Sequence, residues 1–275
     1  MVSAPAIVAP VAVRLWRGPT CGTMRQRQRR IAATSTDRMQ QNRSRHYRFY
    51  DLLLAGFVTV LLCSNMIGPG KSCAFNVLGH PVVFGAGNVF FPISYIFGDV
   101  LTEVYGFARA RKVIWAGFGA MIFATAMSWV VIHLPANPAE PYNAVVQPAL
   151  ETVFGNTGRI VAGSIVAFWA GDFANSLVMA KLKLATRGKW LWTRTIGSTA
   201  IGQGVDSLLF YPIAFGGLWS AETMAQVVLF NWFFKVMVEV VMTPATYALV
   251  AFLKRAEDED FYDTDTAFTP FSLKD

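Results

Sequence analysis

Residues Pro81 to Lys112 read PVVFGAGNVFFPISYIFGDVLTEVYGFARARK, a long apolar run that ends in two carboxylates and a basic turn. The carboxylates, Asp99 and Glu103, are four residues apart, about one turn of a helix. In a water-soluble protein such a pair would lie on the surface. The whole chain, however, is 54% hydrophobic and only 15% charged, whereas a soluble domain carries about 25% charged residues. The composition predicts an integral membrane protein, in which both carboxylates need partners.

Six segments of the sequence are apolar enough and long enough to cross a bilayer as helices. A spanning helix needs about 20 mostly apolar residues, and polar or proline-rich segments separate the candidates. The predicted spans are Tyr50 to Gly68, Pro81 to Tyr105, Lys112 to Leu134, Gly158 to Ala180, Thr195 to Trp219 and Gln226 to Leu253. The sequence therefore predicts an all-α integral membrane protein. Its six-helix transmembrane domain, 49–254, lies between a basic N-terminal arm, 1–48, and an acidic tail, 255–275.

The basic residues lie mostly on one side of the predicted spans. They occupy the arm, the turn after the second span, the loop KLKLATRGKWLWTR after the fourth span, and Lys254 with Arg255. On the other side, Lys71 and Arg159 are the only basic residues near the ends of the spans. Because loops rich in Lys and Arg stay in the cytoplasm, the pattern predicts a multi-pass protein with both termini cytoplasmic.

The two ends of the chain carry opposite charge. Up to Arg48 the arm has ten arginines and one acid, a net charge of +9, whereas the rest has 14 basic and 16 acidic residues. A basic arm can bind nucleic acid, but no folded basic face supports that function, and attraction to anionic lipid is the simpler interpretation. The arm also has the composition of an organelle transit peptide; a disordered arm, or a true start at Met24 or Met39, are the simpler alternatives. The tail is expected to be extended, or docked on the cytoplasmic face through its aromatic residues, Phe261, Tyr262, Phe268 and Phe271.

Residues that bind metals or perform catalysis are scarce in this sequence. Three cysteines without CxxC spacing and three histidines predict neither a disulfide framework nor a metal site. The HExxH, GxSxG, GxGxxG and P-loop motifs are absent. We therefore expect a protein that is not an enzyme and that needs no cofactor or metal. A membrane-embedded enzyme or a structural scaffold is the alternative from another functional class.

Ionisable and amide side chains occur deep within the predicted spans. Each charge in hydrocarbon is costly unless it is paired or lines a polar cavity. Lys235 and Glu239 are four residues apart on the sixth span, and Asp206 lies at a similar depth on the fifth, so we expect the three to face one another. A purely structural ion pair is the alternative for these three. With the deep amides, they give the candidate substrate-binding residues: Asp206, Glu239, Gln203, Lys235, Asn88 and Asn175.

A second group of charged residues lies near the predicted cytoplasmic boundary. Asp99 and Glu103 end the second span, and the basic turn with Arg109, Arg111 and Lys112 is close enough to pair with them. Such networks are common where a helix leaves the bilayer. We expect a gate or a cytoplasmic ion-pair network, made of Asp99, Glu103, Arg109 and Arg194.

Small residues recur every four positions on the fourth and fifth spans. Gly163, Ala167 and Gly171 share a face with Asn175, and Gly202 shares a face with Ser198 and Asp206. Small side chains let helix backbones approach closely. These stripes predict close helix packing.

Four separated motifs carry a family resemblance. They are FPISYIFGDVLTEVYGFARARKVIWAGF, WLWTRTIGSTAIGQGVDSLLFYPIAF, FKVMVEVVMTPATYALVAFLKR and EDEDFYDTDTAFTPF. In this order they resemble the queuosine precursor transporter family of bacterial inner membranes. The resemblance implies a six-helix carrier, similar in shape to the substrate-binding subunits of vitamin importers. It also implies uptake of 7-deazaguanine precursors of the tRNA nucleoside queuosine, namely the 7-cyano and 7-aminomethyl bases, or queuine in some members.

The deep polar residues suit a ligand of this kind. A guanine-like edge presents N–H and NH₂ donors beside a carbonyl. Glu239 or Asp206 can accept from the donors, and Gln203, Asn88 or Lys235 can donate to the carbonyl. Flat bases also favour aromatic walls, for which the candidates are Phe90, Phe91, Tyr95, Phe210, Tyr211, Phe230 and Phe234.

The expected partners are thus a small deazapurine and the lipid bilayer, without nucleic acid. A homo-oligomer is left open. The alternative function is a substrate-capture subunit of an ATP-driven vitamin importer. Its ATPase would be a separate chain, because this sequence has no nucleotide-binding motif.

Overall fold

The computed structural model describes residues 47–66, 72–77, 80–85, 90–155 and 158–272, which form helices and one β-hairpin. The elements in chain order are α1 (Tyr50–Met66), β1 (Ser72–Val77), β2 (His80–Gly85), α2 (Phe91–Tyr105), α3 (Phe107–His133), α4 (Asn143–Phe154), α5 (Gly158–Ala185), α6 (Leu191–Phe215) and α7 (Ala221–Glu257). The arm up to residue 46 and the candidate site residue Asn88 lie outside the described residues.

The second span was predicted to begin at Pro81, which is too early. The segment before α2 forms a β-hairpin instead, and this hairpin is the exception to the predicted all-α fold. His80–Gly85 pairs antiparallel with Ser72–Val77, and helix α2 begins only at Phe91. Valine and phenylalanine favour strands, whereas the glycines of the FGAGN segment disfavour a continuous helix. Proline fits the first turn of a helix, where no N–H is needed, and Pro92 occupies that turn of α2.

Three of the described helices, α3, α5 and α7, are each long and apolar enough to cross a membrane. Helix α1 is also apolar but has 17 residues, and α2 has 15. Helix α6 is longer, with 25 residues, but its buried face is polar and includes Arg194, Ser198 and Gln203. A buried polar face lowers the mean hydropathy of a helix without preventing it from lying inside a bundle. Six spans therefore remain a prediction for this chain.

The helix bundle has two distinct ends. At one end Glu103, Arg194 and Lys254, from α2, α6 and α7, form ion pairs. We call it the tail end, since residues 258–272 (the tail) dock there. At the other end Arg159, near the start of α5, donates to the carbonyl of Gly216, just after α6. This second end also holds α4 and its connections, and we call it the loop end.

An apolar core joins α1, α2, α3 and α7. It includes Phe57, Val100, Val113 and Leu253, all at most 3% exposed. Large apolar side chains also cover the outside of the bundle: Phe123, Trp129, Leu229, Phe233, Val241 and Phe252 are exposed. An apolar exterior is the surface that a lipid bilayer requires.

Helices α5 and α6 pack closely through the predicted small residues. A Cβ atom at Gly202 would lie 2.7 Å from the Cβ of Asn175 and 2.9 Å from the carbonyl oxygen of Gly171. A Cβ at Gly171 would lie 3.0 Å from the carbonyl oxygen of Gly202. The prediction of close packing is confirmed, because only glycine fits at these positions.

The tail docks on the bundle. Asp263 accepts the backbone N–H of Phe107, the first residue of α3, at 3.1 Å. Arg111 donates to the carbonyl of Thr269 at 2.9 Å, and the Trp115 indole donates to the carbonyl of Pro270 at 2.9 Å. All four aromatic residues named from the sequence take part in this docking, and the centroid of the Tyr262 ring lies 4.6 Å from Lys183 Nζ. Phe261 and Phe268 lie against Gly106 and Phe107, and Phe271 packs on Trp115 and Trp169.

Candidate functional site

A cavity of about 930 Å³ lies inside the bundle and extends to the loop end. Met66, Phe154 and Gln226, at the loop ends of their helices, line its outer part. Five of the aromatic residues predicted as walls also line it: Tyr95, Phe210, Tyr211, Phe230 and Phe234. A volume of this size is within the range of small-molecule sites, about 300 to 1,000 Å³. The cavity can therefore hold a ligand much larger than a few waters.

The floor of the cavity is polar. Lys235 Nζ lies 2.6 Å from Asp206 Oδ2, joining α7 to α6. The Tyr95 hydroxyl of α2 donates to Gln203 Oε1 of α6 at 2.9 Å. Asp172 of α5 lines the same floor, and its carboxyl interacts electrostatically with Asp206 and Lys235. If all three charged groups are ionised, the floor carries one surplus negative charge.

A second polar group lies beyond the floor, towards the tail end. Asn175 Nδ2 donates to Asp99 Oδ1 at 2.8 Å, and Asp99 interacts electrostatically with Glu239. Asp99 and Glu239 are 0% and 1% exposed. The large cavity is lined by neither of them, nor by Asn175. We call Asp99, Asn175 and Glu239 the deep acceptor group.

Ion pairs connect five elements at the tail end. The buried Glu103 carboxylate accepts from Arg194 Nη2 at 2.8 Å and from Lys254 Nζ at 2.7 Å, and Lys183 Nζ lies 3.5 Å away. Asp260 of the tail binds Lys183 at 2.6 Å and Lys254 at 2.8 Å. We call these five residues the tail-end cluster. Three cations face two carboxylates, so the cluster carries one surplus positive charge when all five groups are ionised.

Two tail carboxyls have shifted pKa values in opposite directions. Burial raises the pKa of Asp260, but hydrogen bonds and attraction from Lys183 and Lys254 outweigh this, so its pKa lies below the ordinary value. Burial raises the pKa of Asp263 above the ordinary value, although the N–H of Phe107 partly opposes the shift. Ionised Asp260 therefore stabilises the docked tail. Ionised Asp263, in contrast, makes docking less favourable, because its charge is buried.

Sequence comparisons place this arrangement in a family. Residues 85–249 match the family model described as "Putative vitamin uptake transporter". The matched range contains all of the cavity floor and most of the tail-end cluster. The chain belongs to this family. It is thus a membrane protein of a transporter family.

Two curated relatives of this family member carry the same printed name, "Probable queuosine precursor transporter". One, from Bacillus subtilis (strain 168), is 32% identical over 199 residues, which are 70% of this chain and 80% of the relative. The other, from Haemophilus influenzae (strain ATCC 51907 / DSM 11121 / KW20 / Rd), is 24% identical over 168 residues, 60% of this chain and 67% of the relative. No solved structure matches this family member.

The described candidate substrate-binding residues of this transporter-family chain fall into two places. Asp206, Lys235 and Gln203 meet at the cavity floor, and Asn175 and Glu239 lie deeper. Lys235 binds Asp206 and not, as the i,i+4 spacing suggested, Glu239. The reason is that α6 presents Asp206 directly to α7, while Glu239, one turn further along α7, interacts electrostatically with Asp99 of α2.

In the predicted cytoplasmic network, the partners of Glu103 are not the basic residues of the turn after α2. Glu103 and Arg194 are paired as proposed, but Asp99 belongs to the deep acceptor group. Arg109 stacks on Tyr47, 4.6 Å from the ring centroid. The cause is Gly106, whose φ of 86° ends α2 and turns the following residues away from Glu103.

The candidate sites named from the sequence did not include Asp172 or three members of the tail-end cluster, Lys183, Lys254 and Asp260. Asp172 could have been found, because it lies in the predicted fourth span within one turn of Asn175. The two lysines gave no local signal, since they pair with residues 80 and 151 positions away.

Proposed function

We propose that this chain imports queuosine precursors across a bacterial inner membrane for tRNA modification, with 7-cyano- or 7-aminomethyl-7-deazaguanine, or queuine, as substrate. The single observation that carries the proposal is the 930 Å³ cavity with a charged, hydrogen-bonding floor. Its chemistry matches the ligand class in the printed names of the two relatives.

The cavity floor offers complementary groups for a guanine-like edge. Asp206 and Asp172 can accept from the N–H and NH₂ donors of the base, and Lys235 can donate to its carbonyl. Because the Tyr95 hydroxyl occupies Gln203 Oε1, the Gln203 amide nitrogen is the atom left to donate. With Asp172, Asp206 and Lys235 all ionised, the surplus negative charge of the floor would favour a cationic substituent, as in the aminomethyl base.

Aromatic side chains supply the flat walls that a base requires. Phe210, Tyr211, Phe230 and Phe234 line the cavity above the floor. Stacking on such rings contributes about 1 to 3 kcal/mol per base. A deazapurine would thus be held by its edge at the floor and by its faces along the walls.

The orientation we propose has six spans, with both termini and the tail end in the cytoplasm. The tail end carries the basic turn after α2 and the basic loop between α5 and α6, while residues 134–155 at the loop end contain no Lys or Arg. In this orientation the cavity faces outwards. The tail-end cluster then closes the cytoplasmic end below it.

The deciding experiment uses cells that cannot make the precursors. Queuosine in tRNA is measured with and without this gene while each base is fed in turn. We expect the gene to restore queuosine for at least one base at a concentration that does not suffice without it. The host should lack vitamin-importer ATPases, since rescue there separates a self-sufficient carrier from a capture subunit. Absence of rescue by every base would refute the proposed substrate class.

A further inference from the structure

The deep acceptor group has three unsatisfied acceptor atoms. These are Asp99 Oδ2, Glu239 Oε1 and Asn175 Oδ1, which have no hydrogen-bond partner within the described part of the chain. All three side chains are at least nine-tenths buried. Buried polar atoms are satisfied in the great majority of cases. The group therefore needs a donor that the surrounding described side chains do not provide.

The charged groups around Asp99 supply no cation for it. The groups that interact with it electrostatically are all acidic: Glu239 on α7, Glu103 on α2 itself, and Asp172 on α5. The nearby cations are engaged elsewhere: Lys235 with Asp206, and Lys183, Arg194 and Lys254 with Glu103. Helices α1 and α3 also pack on α2, but Asp51 of α1 is exposed at the tail end and Arg111 of α3 binds the tail.

A shared proton satisfies the two carboxyl oxygens of this group, Asp99 Oδ2 and Glu239 Oε1. Asp99 and Glu239 lie on helices α2 and α7, which pack together, each one turn beyond a residue of the cavity floor, and they interact electrostatically. Two such buried carboxylates are costly when both are ionised, and one proton removes a charge and becomes a donor to the second carboxyl. A divalent metal is a poorer fit, because the described residues contain no group of three His, Cys, Asp or Glu side chains placed to hold one.

Access to the deep acceptor group suits water and excludes a base. A void of about 10 Å³ lies between the cavity floor and Asn175. Its lining includes Ser94, Tyr95 and Asp172, which also line the large cavity. About one water fits a void of this size. The void thus brings a water as far as Asn175, which donates to Asp99, while the substrate stops at the floor.

One face of α2 links the three polar layers. Tyr95, Asp99 and Glu103 follow at four-residue spacing, so they share a face of the helix. Tyr95 belongs to the cavity floor, Asp99 to the deep acceptor group and Glu103 to the tail-end cluster. Helix α7 repeats the first two layers with Lys235 and Glu239. On each of the two helices, the floor residue is thus one helical turn from a carboxyl: Tyr95 from Asp99 on α2, and Lys235 from Glu239 on α7.

We propose that Asp99 and Glu239 share one proton and that this pair couples uptake of the base to inward proton movement. The proton enters from the cavity while it is open to the outside and leaves on the cytoplasmic side, and no bond in the base changes. The proton site stands on the structure alone, whereas the coupling rests on the proposed function.

The proton site is tested without substrate. The full chain is purified and placed in lipid vesicles, and infrared difference spectra are recorded between high and low pH. A carbonyl band from a protonated, buried carboxyl should be present in the wild type and lost in Asp99→Asn and in Glu239→Gln. The band should persist in the controls Asp51→Asn and Glu222→Gln, whose side chains are exposed. A band that persists in both test variants would overturn the proton site, whatever the chain transports.

Entry of the proton through the void has its own variant. A Cβ at Gly98, which lines the void, meets no atom within 4 Å. Gly98→Ala should therefore fold normally, add a methyl group to the lining of the void and slow the appearance of the carbonyl band after a pH jump. An unchanged rate would overturn the access route.

Coupling is tested with 7-aminomethyl-7-deazaguanine in the same vesicles. A gradient of one pH unit, acidic outside, should accumulate the base up to about tenfold if one proton accompanies each molecule. Glu239→Gln and Asp99→Asn should lose this accumulation but keep exchange of internal for external base. Should one variant yield too little folded protein, the other, on a different helix, makes the same test.

The outcomes separate the two proposals. If uptake of the base does not depend on the pH gradient, or depends on a sodium gradient instead, the proposed proton coupling is wrong. The proposed transport function would be unaffected by that result. A carbonyl band that behaves as expected in a chain that moves no queuosine precursor would overturn the transport function and leave the proton site standing.

Discussion

Lys235 Nζ lies 2.6 Å from Asp206 Oδ2, and this bond joins α7 to α6 in the floor of the cavity. The two side chains are 15% and 22% exposed, so they remain open to the cavity. A buried pair that only held two helices together would be expected to be closed to a ligand. This exposure to the cavity is why we propose the pair for substrate binding as well as for helix packing.

The first prediction concerns the carboxylate of this pair. Asp206→Asn should weaken uptake about ten- to a hundredfold, because a lost hydrogen bond to a charged group is worth roughly 1.5 to 3 kcal/mol. The measurement is uptake of the base normalised to the amount of protein in the membrane. Glu222→Gln, an exposed position on α7, is the control and should behave as the wild type.

A double variant separates binding from structure. Asp206→Asn combined with Lys235→Met removes the pair as a unit, so no buried charge is left without its partner. We expect the amount of folded protein to recover while uptake stays low. If uptake recovers with the amount of protein, the pair is structural and the floor must be assigned to other residues.

The second prediction concerns orientation. In a chain whose native cysteines are replaced, Tyr142→Cys in the exposed loop-end segment should react with a membrane-impermeant maleimide added to intact cells. Ala185→Cys, exposed at the end of α5, should react only after the membrane is opened. The reverse pattern would place the cavity on the cytoplasmic side and contradict the importer orientation.

Composition and spacing predicted the class of the protein and the approach of α5 to α6. The chain is 54% hydrophobic, and a charge in hydrocarbon must be paired or face a cavity. The cost of burying polar groups in hydrocarbon is the same in any helix bundle. Asp206, Gln203 and Lys235 could therefore be named without knowledge of the fold. The glycine stripe is equally general, since backbone approach depends only on the size of the side chain.

The partners of the charged residues could not be predicted, because they depend on which helices are neighbours. Glu103 binds Arg194 and Lys254, which are 91 and 151 positions away, and a local pattern gives no signal for such pairs. The hairpin was missed for a related reason. Residues His80–Gly85 are apolar, as a span is, and only pairing with Ser72–Val77 makes them a strand.

The third prediction tests the contact between α5 and α6. Gly202→Ala should lower the free energy of unfolding by about 1 to 3 kcal/mol, the usual cost of overpacking. A Cβ there would lie 2.7 Å from the Cβ of Asn175 and 2.9 Å from the Gly171 carbonyl oxygen, and neither atom can move freely. Thermal unfolding of the purified chain in detergent measures the change.

The matched control for this variant is Gly119→Ala. Gly119 lies within α3, and a Cβ there meets no atom within 4 Å. Alanine favours a helix over glycine by about 1 kcal/mol, so this variant should unfold at the same or a higher temperature. Equal destabilisation by both variants would show that the close approach at Gly202 has no energetic role.

The last prediction concerns the docking of the tail in acid. The pKa of Asp260 lies below the ordinary value of 3.8 because Lys183 and Lys254 bind the ionised form. A carboxyl with a lowered pKa stabilises the docked state fully above its ordinary pKa, and this contribution is lost as the pH falls through the lower, folded value. Asp263, whose pKa is raised by burial, has the opposite effect, since its protonation in acid relieves a buried charge.

Asp260→Asn distinguishes these two contributions. The variant should increase hydrogen exchange of residues 258–272 at neutral pH and should remove the part of the acid-induced increase that depends on Asp260. Asp265→Asn is the control, because Asp265 is exposed and, within the described residues, accepts a hydrogen bond only from the neighbouring Thr264. Mass spectrometry of the tail peptide gives the exchange of wild type and both variants across the same pH series. If Asp260→Asn leaves the wild-type exchange unchanged at every pH, the ion pairs with Lys183 and Lys254 do not hold the tail.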